Sequence, residues 1–360
     1  MSDTSRERLL YIPNEGRIGD QVGPRQVFTS LLSEDRLAAY EAFALPFHVK
    51  EYGEKQAFQE LIGAAERLRP TLVLWQHAGS LAVPTEVLSK LQELGVFLVY
   101  HEGDIYGEMR KRLPVGARYL ARASDLTLTV GGGPQARMLR RAGAQRVGFV
   151  PSSVDLSRFG TDWVPSPNRE FDVVVIGTRV SGRLPGTSGI PGARRRLRLV
   201  RGLGELLGER LAVYGHGWEG FVGERGPLPF DRQEEAARNA WLTVAWNHFD
   251  SVPYFFSNRL PISLVTGVAH LTNRQPGYEA FFEDGRELFL ATSVADAIDR
   301  VGTLLEGPRV ALERVAARGE RFARQHLATS VVFRRMLDMA VACRKGEPLP
   351  GARQWIEQDH

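Results

Sequence analysis

The chain has 360 residues, of which 43% are hydrophobic and 24% charged, with a formal net charge of +4. That length exceeds one ordinary core and suits two α/β domains, and the composition excludes a disordered or fibrous chain. A single cysteine, Cys343, excludes an internal disulfide framework, and no apolar run approaches the ~18 residues of a membrane span.

From the N-terminus, MSDTSRERLL lacks the apolar core of a signal peptide, so the chain reads as cytoplasmic. Leu9 to Ile12 predicts a strand. A glycine-rich loop (Gly16, Gly19, Gly23) follows, then a helix from about Pro24. Between Tyr52 and Arg69, the apolar residues Ala57, Phe58, Leu61, Ile62, Ala65 and Leu68 keep the helical period. Thr71 to Trp75 and Val96 to Tyr100 are continuous apolar runs, as strands buried on both faces should be. Leu126 to Val130 and Arg146 to Val150 repeat that pattern around a helix from Pro134 to Ala142. Repeated strand–helix units predict a parallel, doubly wound sheet.

Pro151 to Arg169, rich in Pro, Ser and Asp, reads as a linker. The second half restarts with a strand at Phe171 to Ile176. A helix (Ala193 to Leu207), a strand (Leu211 to Tyr214), a helix (Arg232 to Asn239) and a strand (Leu242 to Trp246) follow. Ser257-Asn258-Arg259 then opens a short apolar helix, Leu260 to Thr266, which Gly267 stops before a buried strand, Val268 to Thr272. An amphipathic helix through Val294, Ala297, Ile298, Val301, Leu304 and Leu305 precedes two more, near Arg309 to Gln325 and Thr329 to Arg344.

Several motifs bear on chemistry. A helix start facing the carboxyl end of a strand is a ready anion site, which makes Ser257, Asn258 and Arg259 candidates for phosphate contact; Ser and Asn also serve as plain N-caps. GHGWEG, Gly215 to Gly220, is a formal GxGxxG, but Gly223, Gly226, Pro227 and Pro229 follow where the dinucleotide fingerprint needs a helix. It reads either as a strand-end turn or as a pocket wall made by His216, Gly217 and Trp218. GTRVSGR, Gly177 to Arg183, lacks the Lys-Ser/Thr pair of a P-loop. Its Arg179 and Arg183 are read as a diphosphate clamp or as solvated loop charges. Arg194, Arg195, Arg196, Arg198 and Arg201 read as a solvated helix face.

His101-Glu102-Gly103-Asp104 follows a buried strand, where α/β sheets place their sites. His101 is read as a proton acceptor or donor whose tautomer Asp104 holds, with a loop histidine of no chemistry as the plain alternative. No histidine pair at i, i+4 and no Asp-x-Asp occurs, so neither a metal site nor a cofactor is expected. A net charge of +4 spread over two domains gives little support for nucleic-acid binding, while peripheral membrane association through a basic surface stays open.

The stretch SNRLPISLVTGVAHLTNRQPGYEAFFEDGRELFL, Ser257 to Leu290, resembles the nucleotide-sugar half of GT-B glycosyltransferases of group 1 and of spore-maturation CgeB-like proteins. Those carry an Arg-x-Phe-Glu helix, a small-Gly stop, an apolar strand, a Pro-Gly turn and an acidic-Gly element. VPSSVDLSRF, from Val150, resembles their "PNGVD…F" interdomain segment. The resemblance implies two Rossmann-like doubly wound domains facing a cleft, with C-terminal helices bridging back. The expected divisions are 1–160 (acceptor domain), 161–328 (donor domain) and 329–360 (C-terminal helix and tail).

The function implied is metal-independent sugar transfer, with a lean towards retention, from a nucleotide-sugar donor to an unidentified acceptor: a glycan, lipid, protein or small molecule. Arg179, Arg183, His216, Gly217, Trp218, Tyr254, Ser257, Asn258 and Arg259 would hold the donor. His101 and Asp104 would act near the reacting sugar, and Gly16 and Gly19 on the acceptor side. Two glutamates of the group 1 pattern are absent, their places falling near Tyr254 and at Ile262. Their loss keeps a non-catalytic sugar-nucleotide or partner-binding protein in view. A GT-B-like epimerase or hydrolase is the other alternative.

Overall fold

A computed structural model describes residues 6–107, 112–180, 190 and 192–357. The chain divides into two compact units. The first comprises residues up to Val150 together with Thr329–Trp355, and the second is built on Pro151–Ala328.

In the first unit, β1 (Glu7–Ile12), α1 (Val22–Ser33), β2 (Leu37–Ala42), α2 (Leu45–Tyr52), α3 (Glu54–Leu68) and β3 (Leu72–Gln76) come first. They are followed by α4 (Thr85–Glu93), β4 (Phe97–Glu102), α5 (Val115–Ala123), β5 (Leu126–Thr129), α6 (Pro134–Arg141) and β6 (Val147–Phe149). The six strands form one sheet of order β2-β1-β3-β4-β5-β6, and every pairing is parallel. The strand order reverses between β1 and β3, the switch point at which open α/β sheets bind ligands. The core consists of the apolar strand runs and the helical stripes packed on them, from Leu10 and Ile12 to Leu120 and Leu139. The sequence reading passed over β2. It is an edge strand of half-buried Ala, Tyr and Glu, without the apolar run of an inner strand.

The second unit holds β7 (Phe171–Ile176), α7 (Ala193–Leu207), β8 (Leu211–Tyr214), β9 (Glu224–Gly226), α8 (Gln233–Arg238) and β10 (Ala240–Val244). Next come α9 (Arg259–Val265), β11 (Ala269–Asn273), β12 (Phe289–Ala291), α10 (Val294–Glu306) and α11 (Arg309–Phe322). Its sheet, β12-β11-β10-β7-β8-β9, is again parallel and switches between β7 and β10. Val173, Leu242, Leu271, Leu199 and Leu203 anchor a separate core.

The last long helix, α12 (Thr329–Arg344), belongs to the first unit. Phe333 packs edge-on against Tyr11 and Phe28, and Arg334 pairs with Glu34 at 2.5 Å. Residues 329–355 are therefore part of the first unit's fold and do not stand apart.

The first division falls at 150/151, not 160/161, because residues 151–160 are bonded into the second unit. Ser152 Oγ donates to the Phe256 carbonyl at 2.7 Å, Val154 bridges to Ala328, and the Gly160 amide donates to Glu234 at 2.9 Å. Among the described residues no helix is long and apolar enough to cross a membrane.

Candidate functional site

In the second unit, the loops leaving β7 and β8 are bonded together at the carboxyl edge of the sheet. The Gly177 amide donates to the Tyr214 carbonyl at 2.8 Å, and the Arg179 amide to the His216 carbonyl at 2.9 Å. Gly215 (φ +132) is forced: a Cβ there would lie 2.6 Å from the Gly177 carbonyl carbon and oxygen. Trp218 is buried and its indole N–H donates to the Gly177 carbonyl at 2.7 Å. It therefore pins the loop from inside and does not line a pocket. Arg179 reaches the Gly217 carbonyl at 3.2 Å and lies over the Phe221 ring at 5.1 Å, which makes it partly a brace. His216 is exposed, and Arg183 lies outside the described residues.

Arg196 does not lie on the solvated face that its arginine-rich run predicts. It is 7% exposed, donating to the Trp246 carbonyl through Nε (3.0 Å) and Nη2 (2.6 Å) and to the Thr178 carbonyl through Nη1 (3.4 Å). It thus ties the loop after β7 to the loop after β10, across the switch point. Its signal was in the sequence. Ala193, Leu199, Val200, Leu203 and Leu207 form the buried stripe of α7, and Arg196 falls on that stripe at i−3 from Leu199. Arg194, Arg195, Arg198 and Arg201 are exposed, as a solvated face should be.

Arg259 comes to the same place. Beside Gly177, the point where a Cβ would sit lies 3.2 Å from Arg196 Nη1 and 3.7 Å from Arg259 Nε. Burial pushes the Arg259 guanidinium below its usual range. Burial first, and Arg259 second, push Arg196 down to about 9, still charged at neutral pH. Among the described residues no carboxylate pairs with either, whereas most other partly buried arginines here have one. Two like charges in low dielectric without a counter-ion form a site of unmet positive potential.

Ser257 and Asn258 do not serve as the side-chain N-caps that the sequence offers. Neither side chain caps α9; their carbonyls take the Leu260 and Ile262 amides at 3.0 and 3.1 Å. Asn258 already has helical dihedrals (φ −55°, ψ −19°), not the extended ones of a side-chain N-cap. Tyr254 has φ +64°, its amide donates to the Pro276 carbonyl at 2.8 Å, and its ring fills the space a Gly277 side chain would need. A left-handed non-glycine residue is backbone strain held by its surroundings.

Those surroundings are a neutral, buried network. Asn247 donates to Gln275 (3.0 Å) and to the Tyr278 hydroxyl (2.8 Å), and its amide donates to Asn273 (2.7 Å). Gln275 donates to the Phe249 and Val252 carbonyls, and Tyr278 to that of Phe255. The whole loop leading to Arg259 is therefore fixed in place. Asp250, a candidate replacement for a missing glutamate, is committed to Arg195 and to the Trp246 indole at 2.5 and 2.9 Å. Glu279 is exposed.

The first unit's switch point is different. Glu15 is fully buried and holds the Gly16–Gly23 loop. It accepts from the Gly19 (3.1 Å) and Gln21 (2.9 Å) amides and from both arms of Arg25 (2.9 and 2.7 Å). Burial alone would raise its carboxyl, but the Arg25 fork and the two amides outweigh it and hold the group below the usual carboxylate range. Gly16 is an exposed loop position, while Gly19 (φ +87°) makes the turn that brings its amide to Glu15.

Tyr11 at the end of β1 meets Gln21 (2.9 Å) and Gln76 at the end of β3, and Gln76 meets His101 Nδ1 (3.4 Å) at the end of β4. A single phenolic proton serves one acceptor; Gln21 keeps its amide nitrogen on the Asn14 carbonyl at 3.0 Å and so takes that proton, and Gln76 turns its amide nitrogen to Tyr11 and its oxygen to His101. His101 Nδ1 then carries the proton, and the buried, unpartnered Nε2 is left as a bare acceptor.

This corrects the expected His101–Asp104 pair. The tautomer of His101 is set by Gln76, and its ring lies edge-on to Phe333. Burial first, opposed by Glu102 and reinforced by His77, pushes the imidazole down to about 4, so it is neutral at pH 7. The buried acid is Glu102. It accepts from the Tyr100 hydroxyl and from the Asp104 amide (2.8 Å), and pairs with His77 Nδ1 at 2.9 Å. Asp104 joins this centre through its backbone, its amide on Glu102 and its carbonyl accepting from Gln135 at 3.1 Å.

Comparison with known proteins gives the fold a name. Residues 194–338 match the family model described as glycosyl transferase-like. HepE of Anabaena, solved with UDP and glucose, superposes with a TM-score of 0.58 at 14% identity, covering 94% of this chain and 100% of that one. Sucrose-phosphate synthase of Thermosynechococcus elongatus gives a TM-score of 0.60 at 9% identity, with 95% and 100% covered. A putative UDP-N-acetylglucosamine 2-epimerase of Listeria monocytogenes gives 0.56 at 12%, with 96% and 99% covered. Comparison with curated protein sequences returned no match. A synthase and a protein named as a putative epimerase share this architecture, so the reaction has to be argued from the site. The chain has the GT-B fold of two Rossmann-like units, and its second unit carries most of the glycosyl transferase-like match.

Proposed function

We propose that the chain is a glycosyltransferase using a nucleotide-sugar donor, with the donor's diphosphate held at the β7/β10 switch point. One observation carries this reading: the guanidiniums of the buried Arg196 and the half-buried Arg259 meet beside Gly177 with no carboxylate paired to either among the described residues. A diphosphate supplies the missing negative charge, with oxygens suited to guanidinium forks. Arg196 is held by backbone carbonyls, and Arg259 is left to reach the ligand.

When the bond from the anomeric carbon to the diphosphate oxygen breaks, charge develops on the leaving group, and these preorganised cations stabilise it. That is the basis for a metal-free mechanism. In the first unit, the bare Nε2 of His101 is suited to accept a hydrogen bond from a sugar or acceptor hydroxyl. The glycosyl transferase-like match and the relative solved with UDP and glucose support the donor class. The narrower CgeB-like assignment rests on the Ser257–Leu290 resemblance.

Calorimetry with UDP, GDP, ADP and dTDP tests the reading. At least one should bind, and donor turnover should survive EDTA. No binding at millimolar nucleotide would end the proposal, and loss of turnover on chelation with rescue by Mg²⁺ would end its metal-free part. A non-catalytic sugar-nucleotide binder is the second reading. It is favoured by Tyr254 and the buried Ile262 at the two glutamate positions, with Asp250 already committed elsewhere. Nucleotide binding without donor turnover across acceptor classes would select it.

A further inference from the structure

The chain's modest net charge conceals a concentration. Residues 112–146 contain seven arginines and one acid, Asp125, a local net charge of +6 in a chain whose total is +4. Everything outside that stretch therefore sums to −2. The stretch is α5, β5 and α6 with their flanks, and α5 and α6 pack against each other in the first unit.

The outward positions are arginine on both helices: Arg118 and Arg122 on α5, and Arg137, Arg140 and Arg141 on α6, all exposed. On each helix they are three or four residues apart and so share a face. The Arg122 stem lies against Gly143, just beyond α6, joining the two faces. Tyr119, 46% exposed, stands between Arg118 and Arg122.

Internal chemistry does not account for this face. Among the described residues Arg112, Arg118, Arg122, Arg137 and Arg140 make no ion pair, although arginines elsewhere in the chain are widely paired. Asp125 is spent on the Leu98 amide at 2.7 Å. Helix dipoles favour Arg122, Arg140 and Arg141 in last turns, but not Arg118 or Arg137 nearer the starts. Like charges at i, i+4, such as Arg118/Arg122 and Arg137/Arg141, cost helix stability.

We propose that the α5–α6 face docks on an anionic lipid bilayer surface. Charge complementarity selects the partner. Guanidiniums on two adjoining helices suit a plane of phosphate headgroups, and the net negative remainder of the chain orients that face towards it. Tyr119 is the kind of side chain that sits at headgroup depth. A single exposed aromatic does not make the stacking platform of a single-strand nucleic-acid binder. The inference is independent of the donor reading.

The test is co-sedimentation of the full chain with phosphatidylcholine vesicles and with vesicles that also contain phosphatidylglycerol. Binding is expected only to the second kind, weakening as salt rises. Replacing Arg118, Arg122 and Arg137 together by Gln should weaken it about a hundredfold, at about 1 kcal/mol per arginine near such a surface. The triple Lys variant should retain it. Melting temperature and nucleotide binding should match the parent in both, which separates a lost surface from a lost fold. The proposal is overturned by equal binding to neutral vesicles, by full retention in the Gln variant, or by binding to single-stranded nucleic acid with none to anionic vesicles.

Discussion

The two sheets place polar residues at the same topological position and load them with opposite chemistry. At the β7/β10 switch, the buried Arg196 and the half-buried Arg259 pair with no acid among the described residues. At the β1/β3 switch, the half-buried cation Arg25 is bound in both arms by Glu15, and the chain of polar groups runs through Tyr11 and Gln76 to His101. Among the described residues one edge lacks a carboxylate for its cations, while the other pairs its cation and leaves His101 Nε2 without a hydrogen-bond partner. An open α/β sheet fixes where ligands bind, and the residues at its edge determine their charge. On the proposed reading, the second unit suits an anion and the first neutral hydroxyls.

The strongest way to break this contrast is to give the first unit the second unit's defect. Glu15→Ala leaves Arg25 without its acid and frees the Gly19 and Gln21 amides. Removing one partner of a fully buried pair costs about 3–5 kcal/mol, and with 24% of the Arg25 side chain exposed we expect about 2–3. Denaturant unfolding would show it, and a variant as stable as the parent would mean this network is decoration.

Next in size is Asn247→Leu, which removes donors from Gln275 and Tyr278 beneath the loop leading to Arg259. It should cost about 1–3 kcal/mol of stability, with weaker nucleotide binding. Normal affinity in a destabilised variant would show that the loop does not need this network to position Arg259.

The smallest effect should come from His101→Gln. Because His101 is neutral at pH 7, its loss should lower turnover about tenfold, the scale of one hydrogen bond, and not the 10²–10⁴ of an acid–base group. The same variant has a pH signature. The folded pKa of about 4 lies below the unfolded 6.5, so the unfolded chain takes the proton first. Stability due to neutral His101 is whole above about 6.5 and is lost as pH falls from there towards 4. Melting curves across that window should fall less steeply in the variant. Some slope should remain, because burial also holds His270 at about 3. An unchanged slope would place His101 outside the acid response.

The sequence made the architecture legible because both sheets are parallel and buried on two faces. Their inner strands appear as apolar runs such as LVLW and FDVVVI. The edge strand β2 escaped for the opposite reason, and so did the three-residue β9. Arg259 was legible because it follows a polar opening to an apolar helix. Arg196 was not, since four neighbouring arginines gave it the look of a solvated run; only its place on the apolar stripe of α7 distinguished it. The inward turn of Trp218 and the contact of His101 with Gln76 were not legible, because a motif shows which residues are adjacent in sequence, not which side chains turn inward. The Glu15–Arg25 and Glu102–His77 pairs join residues 10 and 25 positions apart, at no spacing that carries a signature.

The central claim is that Arg259 is kept unpaired for a ligand, and one comparison tests it most directly: nucleotide affinity and thermal stability of Arg259→Ala beside the parent. If the arginine waits for a diphosphate, its removal weakens nucleotide binding by about 1–3 kcal/mol while the unliganded protein melts no lower, and even higher, because a buried like-charge contact with Arg196 is relieved. Unchanged nucleotide affinity together with a lower melting temperature would contradict the account and make Arg259 a structural residue.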